Sequence, residues 1–329
     1  LYEKLFKVSV DAAANRQSAI IQSKYGKCDL AKNRDLVVDG GDYVCGYNSA
    51  GVDDDTLFTA RIQNEENLTI AVIVNYACHP TTLAWENDQL SPDYIGTLRE
   101  TIRKETNAPL IFLQGCSGDL GPALGFTGDV SVPERHGRQV AYASLATIEN
   151  MGTPATKLVL EEVKKSGADL AAWREQASAP DTTLATNEAV LDWKVRDGLQ
   201  KSAELNELLK DNPDNAEKER LKRKLCVRTI VGEEDTTPFP CWFARMGNIL
   251  FVSYPGEAYS KIQRDLRDRY PDYTIICVNV CSTWIGYVIP EEDYQNQNLY
   301  PAWQTPLAPG IFEAVYELSI QELDKLTGN

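Results

Sequence analysis

The chain has 329 residues, 43% hydrophobic and 25% charged, which are ordinary globular values that exclude a disordered, collagen-like or coiled-coil protein. At about 100–200 residues per domain, that length makes two domains or one large elaborated one. Its 33 Lys and Arg against 48 Asp and Glu leave a net charge of −15, which disfavours nucleic acid and anionic lipid heads as partners, and no apolar stretch reaches the roughly 18–20 residues of a membrane helix.

Residues 1–23 set Leu5, Val8, Val10, Ala13 and Ile20 at helical spacing, which predicts an opening helix. Residues 27–55, rich in Gly, Asp and Asn around Asp39-Gly40-Gly41, predict a long surface loop or a set of short strands. Two β-like runs follow, 56–62 and 68–78, and Glu65-Glu66-Asn67 between them predicts a hairpin. Ser91-Pro92-Asp93 reads as a helix start with Ser91 as the N-cap, and that helix is expected to run to about Thr106. A short buried strand at Leu110-Ile111-Phe112-Leu113, a glycine-rich loop over 114–122 and a helix over 133–150 come next.

Strand, helix, strand, glycine loop and helix in this order form an α/β signature. Ligands of such sheets gather at the carboxyl ends of the strands. Over 168–224 the composition changes, with Trp173, Trp193 and several leucines set among Glu, Lys and Asp. An inserted helical segment is expected there, packed on the body through those tryptophans and leucines and lining a crevice. The pattern resumes with a strand over 249–254, a helix over 258–270, a strand over 273–280 and a closing helix over 311–326. The expected architecture is an α/β body of residues 1–167 and 225–329, built on a mixed, partly parallel sheet flanked by helices, with 168–224 inserted. No internal repeat is evident.

Of the eight cysteines, Cys78, Cys116 and Cys277 lie in or beside apolar runs and are expected to act as small buried hydrophobes. Cys28, Cys45, Cys226 and Cys241 sit in more polar surroundings where pairing stays open. The first residue is Leu1, with no charged-then-apolar leader before it, so the chain reads as processed or as a fragment.

There are two histidines. His136, beside Glu134 and Arg135 in a helix, is expected at the surface. His79 directly follows an apolar strand in Cys78-His79-Pro80, which makes it a candidate metal ligand or general base, or a histidine bonded to backbone. Glu257, after Pro255-Gly256, is a second candidate, and equally a first-turn acid stabilised by a helix dipole. Gly115-Cys116-Ser117-Gly118 lacks the Gly-x-Ser-x-Gly spacing of a nucleophile elbow, and the loop lacks the Lys-Ser/Thr ending of a P-loop.

Several separated segments taken together resemble the catalytic domain of the neutral/alkaline (non-lysosomal) ceramidase family. They are Asn33-Arg34, Cys78-His79-Pro80, Ser91 to Gly96, Cys116 to Pro122, Pro255-Gly256-Glu257, Trp284 to Val288 and Glu291 to Tyr294. The resemblance covers roughly residues 1–310 apart from the insertion. It implies one zinc held by His79, Glu257 and Tyr287, with a further histidine expected upstream of Leu1. It also implies that Arg34 and Tyr300 flank the reacting carbonyl, with Asp119 as a supporting or water-orienting group. The function implied is zinc-dependent hydrolysis of an amide or similar acyl bond in a small-molecule or lipid-like substrate, in a secreted or extracytoplasmic protein. Gly121 stands where the family has a serine needed for activity, so ceramide itself is not the expected substrate. The alternative is a noncatalytic ligand-binding relative that kept the fold.

Overall fold

In the computed structural model, which describes residues 2–210, 212–296 and 298–328, the chain opens with α1 (Tyr2–Ala14), none of whose residues is buried. It continues through β1 (Ala19–Lys27), the short strands β2 (Ala31–Asn33), β3 (Asp35–Val37) and β4 (Tyr43–Cys45), and the hairpin of β5 (Thr56–Asn64) and β6 (Thr69–Tyr76). Helix α2 (Tyr94–Thr106) leads to β7 (Leu110–Gln114), β8 (Leu120–Pro122) and α3 (Ser131–Glu149). The middle of the chain holds β9 (Thr156–Lys165), β10 (Asp169–Ala177), β11 (Leu184–Lys194), α4 (Ser202–Lys210) and α5 (Asn215–Val231). Then come β12 (Thr236–Met246), β13 (Ile249–Ser253), β14 (Glu257–Ala258), α6 (Lys261–Arg269), β15 (Thr274–Val278) and β16 (Tyr287–Val288). A 3₁₀ turn (Glu291–Gln295), α7 (Tyr300–Gln304) and α8 (Ile311–Thr327) complete it.

Two four-stranded mixed sheets form the centre, in the orders β1-β5-β6-β7 and β11-β12-β13-β15. In each, two antiparallel pairings are followed by one parallel pairing, β6 with β7 and β13 with β15. The parallel partner follows a helix in both cases, α2 in the first and α6 in the second, because parallel neighbours need a crossover connection. The same topology therefore occurs twice, although no repeat is visible in the sequence.

Strand alternation stacks these sheets into four layers. Leu57, Val72, Val74 and Tyr76 pack with Leu98 and Ile102 of α2 and with Val140 and Ala141 of α3. The opposite face of that sheet, with Phe58, Ala60 and Ile73, packs on Ile249, Phe251 and Ile276 of the second sheet. The far face of the second sheet, with Leu250, Val252 and Ile275, packs on Ile262 and Leu266 of α6 and on Ile311 and Val315 of α8. Asn75 ties the two sheets together, its Nδ2 donating to Leu113 O at 3.0 Å and to Cys277 O at 2.9 Å.

The mixed α/β architecture agrees with the sequence reading, and most element positions agree within two or three residues. Four details differ. The opening helix stops at Ala14, because 19–27 pair along their whole length with β5. The cap of α2 is Asp93, whose Oδ1 accepts from Tyr94 N, while Ser91 Oγ accepts from Asp93 N. His136 is buried against Thr82, 3.1 Å from its Oγ1, since Val132, Pro133, His136 and Val140 share one buried face of α3.

The fourth difference is the segment 168–224, whose first half is strand. In β11, Ala189, Leu191 and Trp193 alternate inward onto the core, a period of two that β12 enforces by pairing over all eleven residues. Trp173 projects into solvent on the β9–β10 hairpin and does not pack on the body. Strand β12 was hidden by Pro238 and Pro240, which lie beyond the end of β13, where β12 has one neighbour and a missing N–H is tolerated. All eight cysteines are free thiols, and Cys78, Cys116 and Cys277 are buried as expected.

Asn75→Leu preserves volume while removing the amide donor shared by the Leu113 and Cys277 carbonyls. A loss of about 1–3 kcal/mol is expected, read by urea unfolding, and an unchanged midpoint would show that the Asn75 bridge contributes nothing.

Candidate active site

The carboxyl ends of β6, β7, β13 and β15 converge at one edge of the sandwich. Just past β6, His79 is held by two carbonyls, its Nδ1 lying 2.6 Å from Ser117 O and 3.0 Å from Leu120 O. Carbonyls only accept, so Nδ1 carries the proton and the Nε2 lone pair is presented outward. Nε2 lies 2.6 Å from Glu257 Oε2, and the other carboxylate oxygen accepts from Trp284 Nε1 at 2.6 Å. Two electron-pair donors this close need a shared proton or a cation between them.

Glu257 is placed by β14, which pairs in parallel with β16 so that Glu257 lies opposite Tyr287. Directly paired residues project to the same side of a ribbon, which sets the Tyr287 ring beside the carboxylate. The Tyr287 hydroxyl accepts from Arg34 Nη2 at 3.1 Å, and Arg34 also donates to Gly118 O from Nε and Nη2 at 3.2 and 2.9 Å. Tyr300 stacks edge-on against Tyr287 with ring centroids 5.8 Å apart, and its oxygen accepts from Gln304 Nε2 at 3.0 Å. The Tyr300 proton is thereby left for another acceptor.

Burial would raise the Glu257 carboxyl, but hydrogen bonding and charge from His79, the Trp284 N–H and the Arg34 cation outweigh it, and the group is held below the ordinary range. Burial pushes the Tyr287 phenol well above its ordinary value, with Arg34 opposing and Glu257 adding to the rise. In this state Tyr287 is a neutral phenol.

The structure thus brings His79, Glu257, Tyr287, Arg34 and Tyr300 together. Asp119 lies one layer back: both its oxygens accept from Ser260, from N at 2.6 Å and from Oγ at 2.7 Å, at the start of α6. Sequence reasoning assigned no role to Trp284 or Gln304. Trp284 stands three residues before Tyr287, and that adjacency was the available signal.

A cavity of about 400 Å³ opens over this cluster. Its floor is Glu257, Trp284 and Tyr287, with Tyr300 and Gln304 on one side. The opposite wall is one face of α5, formed by Glu219, Lys222, Arg223 and Cys226. These recur at helical spacing, while Leu221, Val227 and Val231 on the other side of the helix are buried in the body. Three of these residues belong to the segment 168–224 and Cys226 lies just beyond it.

The fold and site define a four-layer α/β sandwich whose polar centre lies where the carboxyl ends of two sheets meet. No family model and no curated protein matches the sequence. Among solved structures, the chain is similar to a neutral ceramidase from Pseudomonas aeruginosa, with a TM-score of 0.61 and 14% identity over 94% of this chain and 53% of that one. It is also similar to a ceramidase complexed with C2, with a TM-score of 0.60 and 15% identity over 96% of this chain and 56% of that one. The chain spans about half the length of these neighbours. The shared property is the ceramidase-like fold.

Asp35, next to Arg34, accepts from the Tyr259 hydroxyl at 2.8 Å. Burial pushes its carboxyl up to about 7, against the Tyr259 bond and the Arg34 charge and with help from Asp119 and Asp293. Unfolded aspartate titrates near ~3.9, so between there and about 7 the folded chain holds more protons than the unfolded one. Stability contributed by protonated Asp35 is full below that window and is lost as pH rises through it. Asp35→Asn can still accept from Tyr259 and is expected to flatten the decline. Thermal melts at about pH 5 and about pH 8 check this, and an equal decline in both proteins would refute it.

Proposed function

We propose that the chain is a zinc-dependent hydrolase of amide or similar acyl bonds. The observation that carries this reading is the 2.6 Å approach of His79 Nε2 to Glu257 Oε2 at the meeting of two sheets, with Tyr287 paired in register beside it.

The donor set fits zinc. The tautomer of His79 is fixed by carbonyls behind it, the arrangement usual for a metal-bound imidazole, and a neutral imidazole with a carboxylate suits this ion. Tyr287 would supply a third donor, its phenol oxygen, and a further histidine expected upstream of Leu1 would add a fourth. Among the described residues no cluster of three or more His, Cys, Asp or Glu occurs, so within them Tyr287 is the residue that would bring the set to three protein ligands. When bound, zinc would supply a water with pKa near ~7 and polarise the substrate carbonyl.

The chain's own groups do the rest. Trp284 holds the Glu257 carboxylate in place. Arg34, buried and fixed by Gly118 O, keeps a positive charge beside Tyr287, and the free Tyr300 proton can bond the carbonyl oxygen as negative charge develops there. In the balanced reaction the water oxygen bonds the carbonyl carbon, the carbon–nitrogen bond breaks, the nitrogen takes a proton, and a carboxylic acid and an amine leave.

Zinc at one hundred times its Kd is expected to stabilise the protein by about 2.7 kcal/mol, seen as a raised Tm. His79→Ala and Glu257→Gln should abolish both that shift and hydrolysis of N-acyl amides. A full zinc shift in both variants would remove the site from these residues. Zinc binding without hydrolysis of any acyl substrate would favour the noncatalytic relative.

Gly121 lies on β8 opposite Lys32. A Cβ there would meet Arg34 Cδ at 3.6 Å and Thr81 Oγ1 at 3.8 Å, which is ordinary contact, so a serine would fit. Its absence withdraws a hydroxyl from beside Arg34, an effect expected to lower the rate by ~10²–10³ as loss of one oxyanion donor does. Negligible ceramide turnover is expected from the native chain, with a gain of that order in Gly121→Ser. Robust turnover by the native chain would overturn this reading of the glycine.

A further inference from the structure

We propose that this cavity selects compact amides bearing a carboxylate, with Arg223 of α5 receiving the anion. The proposal rests on the hydrolase reading for the reaction and adds the substrate class.

Three observations carry it. First, the cavity is about 400 Å³, near the lower end of the ~300–1,000 Å³ usual for small-molecule sites. Second, its described lining contains no aliphatic side chain: Trp284, Tyr287 and Tyr300 form an aromatic side, and the α5 wall is charged. Alkyl chains gain by burial against apolar surface, and beyond the aromatic faces this lining offers them Cys226 and the stems of charged side chains.

Third, one cation of that wall has no hydrogen-bonded partner. Lys222 is paired with Glu219 at 2.7 Å, whereas Arg223 makes no hydrogen bond or ion pair among the described residues and shares the wall with them. In a chain of net charge −15, an exposed guanidinium that lines a cavity, free of hydrogen bonds and near only the Glu219 charge on its own helix, is a receptor for a planar anion, and its fork matches a carboxylate bidentately. Trp284 has its N–H committed to Glu257, so it offers the bound molecule only its ring.

The carboxylate could sit on the amine side or the acyl side of the amide. The zinc-loaded protein is assayed with N-benzoylglycine, N-benzylsuccinamate, uncharged N-benzoylethanolamine and a long-chain ceramide. One carboxylate amide is expected to exceed N-benzoylethanolamine in kcat/KM by about 10–100-fold, the range of a hydrogen bond to a charged group. The advantage should lie in KM, fall in Arg223→Gln and return in part in Arg223→Lys.

A second readout needs no turnover. Cys226 is exposed and lines the same cavity, so its alkylation by iodoacetamide, followed by mass spectrometry, reports occupancy. N-benzoylglycine should slow alkylation in the native protein and not in Arg223→Gln, and N-benzoylethanolamine should not slow it in either.

Equal kcat/KM for charged and uncharged amides, with no selective shielding of Cys226, would overturn the proposal and leave the hydrolase reading standing. Shielding by the carboxylate that depends on Arg223, without turnover of any amide, would support the anion site and overturn the hydrolase reading. Neither turnover nor shielding would overturn both.

Discussion

Everything at the candidate site hangs on one four-residue loop, 117–120, pressed against the end of the second sheet. Ser117 O and Leu120 O hold the His79 ring, Gly118 O receives Arg34, and Asp119 binds the start of α6. Gly118 N donates to Ala258 O at 2.9 Å, which locks the loop to β14 beside Glu257. A Cβ at Gly118 would lie 2.8 Å from both Glu257 O and Tyr259 Cδ1, closer than side chains pack. The absence of a side chain at this position lets the two sheet ends touch, and the His79–Glu257 approach depends on that contact.

The repeated topology explains why the site sits at the seam. Each sheet delivers a hairpin strand and a parallel partner whose carboxyl ends lie together, and face-to-face packing brings the two pairs to the same edge. His79 follows the hairpin strand of the first sheet and Glu257 follows that of the second. Their 178-residue separation in sequence is closed by the packing of Phe58, Ile73, Ile249 and Ile276 in the apolar layer between the sheets. The chemistry is thus borne by the polar rim of a dry interface, whose stiffness comes from burial and from cross-sheet bonds such as those of Asn75.

Buried charge at this rim is compensated locally. Arg34 is satisfied by a carbonyl and a phenol, Glu257 by an imidazole and an indole, and Asp119 by a hydroxyl and a backbone N–H. Breaking any one of these pairs leaves its partner desolvated, which costs more than the pair contributes when intact. Asp35 has one hydroxyl donor and the Arg34 charge against burial, and burial prevails and pushes it up.

Local pattern determined much of this protein. The apolar runs marked β5, β6, β7, β13 and β15, and the amphipathic stretches marked α2, α3, α6 and α8, because strand and helix periods are written in neighbouring residues. His79 and Glu257 were legible as candidates because each follows an apolar strand, and strand ends are where α/β folds place ligands. Tyr287, Arg34 and Tyr300 entered only through resemblance to a family, since nothing in their local spacing marks them.

The rest was decided by long-range pairing. β12 forms through prolines because β11 supplies one complete neighbour, β11 forms amid charged residues because β12 does the same, and His136 is buried because α3 turns it toward Thr82. The twofold topology, the α5 wall and the unpaired Arg223 exist only once distant segments pack, for a sequence records which residues prefer burial but not which surfaces will cover one another.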